Sequence, residues 1–184
     1  MSTSCYFIRH AHATYSEDEQ NRTLSSIGLI QSEAVAKRFA SIRVDVIVSS
    51  PYRRAIQTIE LLAEQKGLSV QLEGEFRERE SGLGFERDFE EKIEALWKSP
   101  DLYYGNGESN EQAQQRGRIA TERLVQSFKN KSIAIATHGN LLTLILSAFD
   151  STFTFESWKS MPMPAVYKLT FSKTLVEIEM IDVS

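Results

Sequence analysis

The chain of 184 residues has a single cysteine, Cys5. That excludes an intramolecular disulfide and any zinc site built on cysteines. No apolar run approaches the roughly 18 residues from which a membrane-spanning helix is read. The opening Met1-Ser2-Thr3-Ser4 has neither the basic stretch nor the long apolar stretch of a secretory leader, so a cytoplasmic protein is expected. Basic residues are too few for a general nucleic-acid binder: 21 Lys and Arg against 25 Asp and Glu leave a net charge of −4. Length is also short, below the about 250 residues typical of a (β/α)₈ barrel. Repeats and low-complexity stretches are absent. What remains is one globular domain over 1–184. Its 41% hydrophobic and 25% charged residues are ordinary, and a core of normal size needs no staple or metal.

Periodicity gives the elements. Cys5 to Ile8 is a short apolar run, read as a buried strand. Ser25 to about Ser41 is read as a helix, with Val35, Phe39 and Ile42 on one stripe and Ile27, Ile30 and Ala34 on a neighbouring one. Val44 to Val48 is a β-branched strand. Ser50-Pro51 reads as an N-cap and first helical position, and Gly67 as the end of that helix. Leu68 to Leu72 is a weaker strand. Residues 74–110 are irregular, a lid or insert with glycines at 82, 84 and 107 and a short helix over 87–98. Ser109 and Gln112 have the spacing of a capping box, opening a helix that runs to about Phe128. Ser132 to Ala136 is a strand and Leu141 to Phe149 a helix. Ala165 to Phe171 and Leu175 to Ile181 form a terminal hairpin. Alternating strands and helices predict a three-layer α/β fold: a doubly wound, mostly parallel sheet with helices on both faces and a C-terminal β-hairpin.

In such sheets ligands bind beyond the C-terminal ends of the strands. Four strand ends here carry polar chemistry: Arg9-His10, then Ser50-Pro51 with Arg54, then Phe76-Arg77-Glu78-Arg79-Glu80, then Thr137-His138-Gly139. Arginines clamp a dense anion through paired hydrogen bonds, and helix starts add backbone N–H donors. A neutral histidine is a competent nucleophile toward phosphorus, and a glutamate can protonate a leaving oxygen. The expected ligand is a phosphoryl group, with no metal and no cofactor.

These segments resemble the histidine phosphatase superfamily, also called phosphoglycerate-mutase-like. The resemblance rests on Arg9-His10-Ala11, on Ser49 to Thr58, on Phe76-Arg77-Glu78, on Gly107-Glu108-Ser109 and on Thr137-His138-Gly139, in family order. It implies that His10 attacks phosphorus and becomes phosphohistidine. Arg9, Arg54 and His138 would hold the phosphoryl oxygens, and Glu78 would be the acid. Arg79 and Gly139 are further substrate-binding candidates. Ala11 stands where the family usually has glycine. Thr14 falls one step late of the family's R-H-G-x-T spacing, so it receives no role.

Blander readings stand beside these. Glu75 and Glu80 compete with Glu78 for the acid role. Arg53 and Arg79 could be surface charges, His12 could face solvent or the pocket rim, and Cys5 fits a small buried apolar position. The aromatics Phe85, Phe89, Trp97, Tyr103 and Tyr104 could cover the sheet edge or touch substrate. A zinc site on His10, His12 and His138 is a rival, disfavoured by Arg9 and Arg54 beside a dication. A non-catalytic phospholigand-binding domain is another. Within the family, Glu78-Arg79-Glu80-Ser81-Gly82 departs from the mutase run E-R-H-Y-G, favouring a phosphatase. The R-H-A-x-A form also resembles the protein phosphohistidine phosphatases. The favoured substrate is a small phosphorylated metabolite. Neither the substrate's identity nor an oligomeric state is specified by the sequence.

Overall fold

Apolar strand runs with no polar alternation belong in a sheet covered on both faces, and the computed structural model of the chain, describing residues 2–83 and 87–183, has that arrangement. The elements are β1 (Thr3–Arg9), α1 (Ser26–Arg38), β2 (Val46–Ser49), α2 (Arg53–Lys66), β3 (Val70–Leu72), a 3₁₀ turn (Gly74–Phe76), α3 (Phe89–Lys98), α4 (Asn110–Ser127), β4 (Ser132–Thr137), α5 (Gly139–Phe149), α6 (Phe155–Ser160), β5 (Ala165–Phe171) and β6 (Leu175–Ile181). One sheet has the order β3-β2-β4-β1-β5-β6. The first four strands in that order are parallel, and β5 and β6 run antiparallel at one edge.

Successive side chains on a strand point to opposite faces, and this splits the core in two. Cys5, Phe7, Val46, Val48, Ile133 and Ile135 pack with Ala113, Ala120, Leu141 and Ile145 of α4 and α5. Tyr6, Ile8, Ile47, Ala134 and Ala136 pack with Val35, Phe39, Ile59 and Leu62 of α1 and α2 or just beyond them. Each fully buried Phe, Leu or Ile contributes roughly 1.5–3 kcal/mol. Helices α4 and α5 approach closely at Gly117, where a Cβ would lie 2.6 Å from Ile145 Cγ1.

Three expectations at element level are corrected, and one short helix is added. Ile27 and Ile30 are exposed, at 61% and 66%, because α1 turns Gly28, Ser32, Val35 and Ala36 inward. Helix α1 ends at Arg38 rather than near Ser41. Helix α2 begins at Arg53, not Pro51: Ser50 Oγ does accept from Tyr52 N–H at 3.3 Å, but Tyr52 is still extended. The short helix α6 went unread, its Phe155 and Trp158 only partly covered. The capping box at Ser109 and Gln112, the left-handed Gly67 that ends α2, and the terminal hairpin all stand where the sequence puts them. Gly84, Phe85 and Glu86 lie outside the described residues. No helix among those described is long and apolar enough to cross a membrane.

Candidate active site

Three neighbouring parallel strands end in register. Arg9 of β1 pairs with Thr137 of β4, and Ser49 of β2 pairs with Ala136. The ladder runs one bond further on both sides of β4: His10 N–H donates to Thr137 O, and Ser50 N–H to Ala136 O, each at 2.9 Å. The next residue out on each strand is therefore His10, His138 or Ser50. Strand register, rather than loop folding, collects them. All three are buried, with His10 at 5% exposure and the other two at 0%.

His10 is held by both ring nitrogens. Nδ1 lies 2.7 Å from Ala11 O, so this nitrogen carries the proton and donates it. Nε2 is left with its lone pair and accepts from Arg54 Nε at 3.2 Å. Burial pushes the imidazole pKa down to about 3, with the Arg54 charge as the next cause, so His10 is neutral at pH 7. His138 stands edge-on to it, ring centroids 5.2 Å apart. Its pKa is also held well below the ordinary value, chiefly by burial and then by His10.

Two guanidinium groups, Arg54 and Arg9, bear on the pair, and a third, Arg79, lies against Asn140 of α5. Arg54 is 2% exposed; its Nη1 donates to Glu19 O at 2.5 Å, and its Nη2 is 3.2 Å from the Glu19 carboxylate. Its guanidinium also lies over the Tyr52 ring at 5.0 Å. Arg9 Nη1 donates to Met161 O at 2.5 Å, while its Nε is buried with no hydrogen-bond partner among the described residues. Arg79 is 5% exposed. With the Asn140 amide oxygen turned toward it, Arg79 Nε donates at 3.0 Å and Nη2 at 3.2 Å. Burial lowers the pKa of all three, and the nearby Glu78 charge opposes that in each.

The three competing glutamates separate cleanly. Glu78 Oε1 accepts from Leu141 N–H at 2.9 Å and Arg79 N–H at 2.9 Å, and Oε2 from Asn140 N–H at 3.3 Å. The carboxylate thus sits on the start of α5, one residue beyond His138, a favoured place for negative charge. Glu80 is exposed, and Glu75 is half-buried with its carboxylate 3.9 Å from Arg77.

Sequence reasoning missed two arginines. Arg116 of α4 ties down the Glu78 segment by donating to Glu75 O at 2.5 Å, Arg77 O at 3.1 Å and Glu78 O at 3.4 Å, while Nε bonds to the Glu108 carboxylate at 2.9 Å. Its distance from the motif hid it, although Glu108 in Gly107-Glu108-Ser109 was the visible half of the pair. Arg22 is a further cation: its charge helps lower the His10, Arg54 and His138 pKa values, and it pairs with Glu19 at 2.7 Å. No periodicity marks the irregular stretch that carries it. Gly82, at φ +67°, lies so close to the next segment that a Cβ would stand 1.8 Å from Tyr104 O.

Other singled-out residues fall outside this cluster. His12 is exposed, its Nδ1 2.7 Å from Ser25 Oγ. Trp97 packs on the core, and Tyr104 faces Lys92. Cys5 is fully buried, which raises its thiol pKa to about 12. A cavity of about 560 Å³ among α3, α4, α5 and α6 is lined by Trp97, Leu144, Phe153 and Phe155, with no histidine or arginine. Among the described residues no group of three or more His, Cys, Asp or Glu is placed to hold a metal.

The histidine phosphatase superfamily (branch 1) pattern matches residues 5–182. The chain is 28% identical over 154 residues to the putative phosphoserine phosphatase 2 of Hydrogenobacter thermophilus, covering 77% of this chain and 75% of that protein. It is 24% identical over 155 residues to the probable phosphoglycerate mutase GpmB of Proteus mirabilis, covering 77% and 72%. The solved mycobacterial glucosyl-3-phosphoglycerate phosphatase superposes with a TM-score of 0.78 at 21% identity, over 98% of this chain and 97% of that one. A match that takes in both strand-end histidines and nearly all of the fold establishes that the chain belongs to the histidine phosphatase superfamily, branch 1.

Proposed function

We propose that this protein hydrolyses the phosphomonoester of a small metabolite through a phosphohistidine on His10, without metal or cofactor. One observation carries the reading: a buried, neutral imidazole whose Nδ1–H is spent on Ala11 O and whose Nε2 lone pair lies beside Arg54. In the first step Nε2 attacks phosphorus, the N–P bond forms and the P–O bond to the leaving group breaks. Glu78 enters this step as the carboxylic acid and gives its proton to that oxygen. In the second step water attacks phosphorus, Glu78 takes the water's proton, the N–P bond breaks and inorganic phosphate leaves. Arg9, Arg54 and His138 offer N–H donors to the phosphoryl oxygens, and Arg22 adds positive charge. This cationic clamp supplies what a metal would otherwise supply. In this reading Arg79 and the Gly139 N–H take the substrate's remaining polar groups, and residues 74–110 act as the lid.

Hydrolysis is favoured over transfer to a second substrate because exposed Glu80 stands where the mutase run has histidine. The test is release of phosphate from p-nitrophenyl phosphate and from a panel that includes phosphoserine and 3-phosphoglycerate, before and after exhaustive chelation. The reading expects turnover that survives EDTA. Loss with EDTA and recovery with zinc would refute the metal-free scheme. Absence of turnover on every phosphate in the panel would favour a binding domain.

A further inference from the structure

We infer that Ser50 fixes the tautomer of His138, so that His138 presents an N–H, at Nδ1, to the phosphoryl group. The inference rests on the donor role given to His138 above and adds a positioning residue to it.

Ser50 Oγ is 2.7 Å from His138 Nε2, and both residues are fully buried. The contact alone leaves the proton's place open, since either atom could donate. The rest of the Ser50 environment decides it. Tyr52 N–H donates to Ser50 Oγ at 3.3 Å. A hydroxyl has one proton and two lone pairs. Tyr52 takes one lone pair; if an Nε2–H took the other, the buried Ser50 proton would have no acceptor among the described residues, so that proton goes to Nε2, which accepts, and the ring proton resides on Nδ1.

Two further facts agree. His138 Nδ1 is buried and has no hydrogen-bond partner among the described residues. A buried donor without a partner is costly, and such groups recur where a ligand completes them. The ring also stands edge-on to His10, the nucleophile, at 5.2 Å between centroids. A lone pair aimed at a phosphoryl oxygen would repel it, whereas an N–H attracts it. Because burial keeps His138 neutral, it cannot carry protons on both nitrogens, and its tautomer decides between donor and acceptor.

The chain has three histidines, so long-range ¹H–¹⁵N spectra of histidine-labelled protein are simple to assign. In the free protein near pH 7.5 the expected His138 signal is that of an Nδ1–H ring. Ser50→Ala should lose that signature, giving Nε2–H or a mixture, with kcat/KM down about 10–10²-fold, somewhat less than deleting a transition-state donor outright. Ser50→Thr, which keeps the hydroxyl, should restore both. An Nε2–H ring in the wild type, or a tautomer unchanged in Ser50→Ala, overturns the inference while leaving the hydrolytic reading intact. A changed tautomer with an unchanged rate upholds the Ser50–His138 coupling and overturns the donor role of His138.

Discussion

Gly139 opens α5 directly after His138, and adding one methyl group there tests the position of Arg9. A Cβ at Gly139 would stand 2.8 Å from Arg9 Nε, 2.9 Å from Cζ and 3.1 Å from Nη2. Ordinary carbon contacts lie at about 3.5–4.0 Å, so the guanidinium must retreat by roughly 0.6–1 Å. It is not free to do so at no cost, because Nη1 is bonded to Met161 O. A misplacement of about 1 Å in a positioning group can lower the rate about 10²-fold. Stability should change less. Overpacking costs about 1–3 kcal/mol, but alanine regains up to about 1 kcal/mol of helix propensity. For a chain of this length each 1 kcal/mol moves Tm by about 2–4 °C. Gly139→Ala is therefore expected to stay folded, with Tm lowered by a few degrees and kcat/KM on p-nitrophenyl phosphate reduced about 10–10²-fold. Gly74→Ala is the control, since a Cβ there meets nothing within 4 Å. If Gly139→Ala keeps full kcat/KM, the placement of Arg9 against the helix start does not matter to the reaction.

Glu78→Gln should lose about 10²–10⁴ in the phosphorylation step on an alkyl phosphate, and much less on p-nitrophenyl phosphate, whose leaving group needs no proton. Single-turnover kinetics beside Glu80→Gln check this; the same leaving-group pattern in Glu80→Gln instead would move the acid by two residues. Stability should fall with acid in a defined window. His10 titrates near 3 when folded and near its ordinary 6.5 when unfolded, so between those values the unfolded chain binds more protons. The contribution is fully present above about pH 6.5 and is lost as pH falls, at up to about 1.4 kcal/mol per pH unit for each such histidine, His138 being shifted the same way. Urea midpoints at pH 7.5 and pH 5 measure it, and His10→Ala should flatten the difference; an unchanged slope would place the protons elsewhere.

The strand ends were legible because chemistry there is punctuated by apolar runs. Phe7 and Ile8 announce a buried strand, so the Arg9-His10 that follows must emerge at its end, and the same holds for Thr137-His138 after Ile133 to Ala136. What the runs do not encode is the partner of each polar atom. Ser50 reads as a helix cap from its neighbour Pro51, yet its hydroxyl meets His138, 88 positions away. Arg116 carries no signal in the sequence, yet three carbonyl groups of the Glu78 segment converge on it. Ile27 and Ile30 fit a helical stripe as well as Val35 does. The close approach of Gly28 to His12 O, 1.9 Å from where a Cβ would sit, goes with the inward turn of the other face. Side-chain partners set by sheet order are invisible to local periodicity, whereas the elements themselves are not.

The central claim is that phosphorus bonds to His10 Nε2 during turnover. A single turnover quenched in alkali, where phosphohistidine survives, then digested and mapped by mass spectrometry, tests it most directly. The account predicts acid-labile phosphate on His10 within the first turnover, and none in a folded His10→Ala variant. Phosphate on His138 or His12, or labelling that persists in His10→Ala, would contradict it.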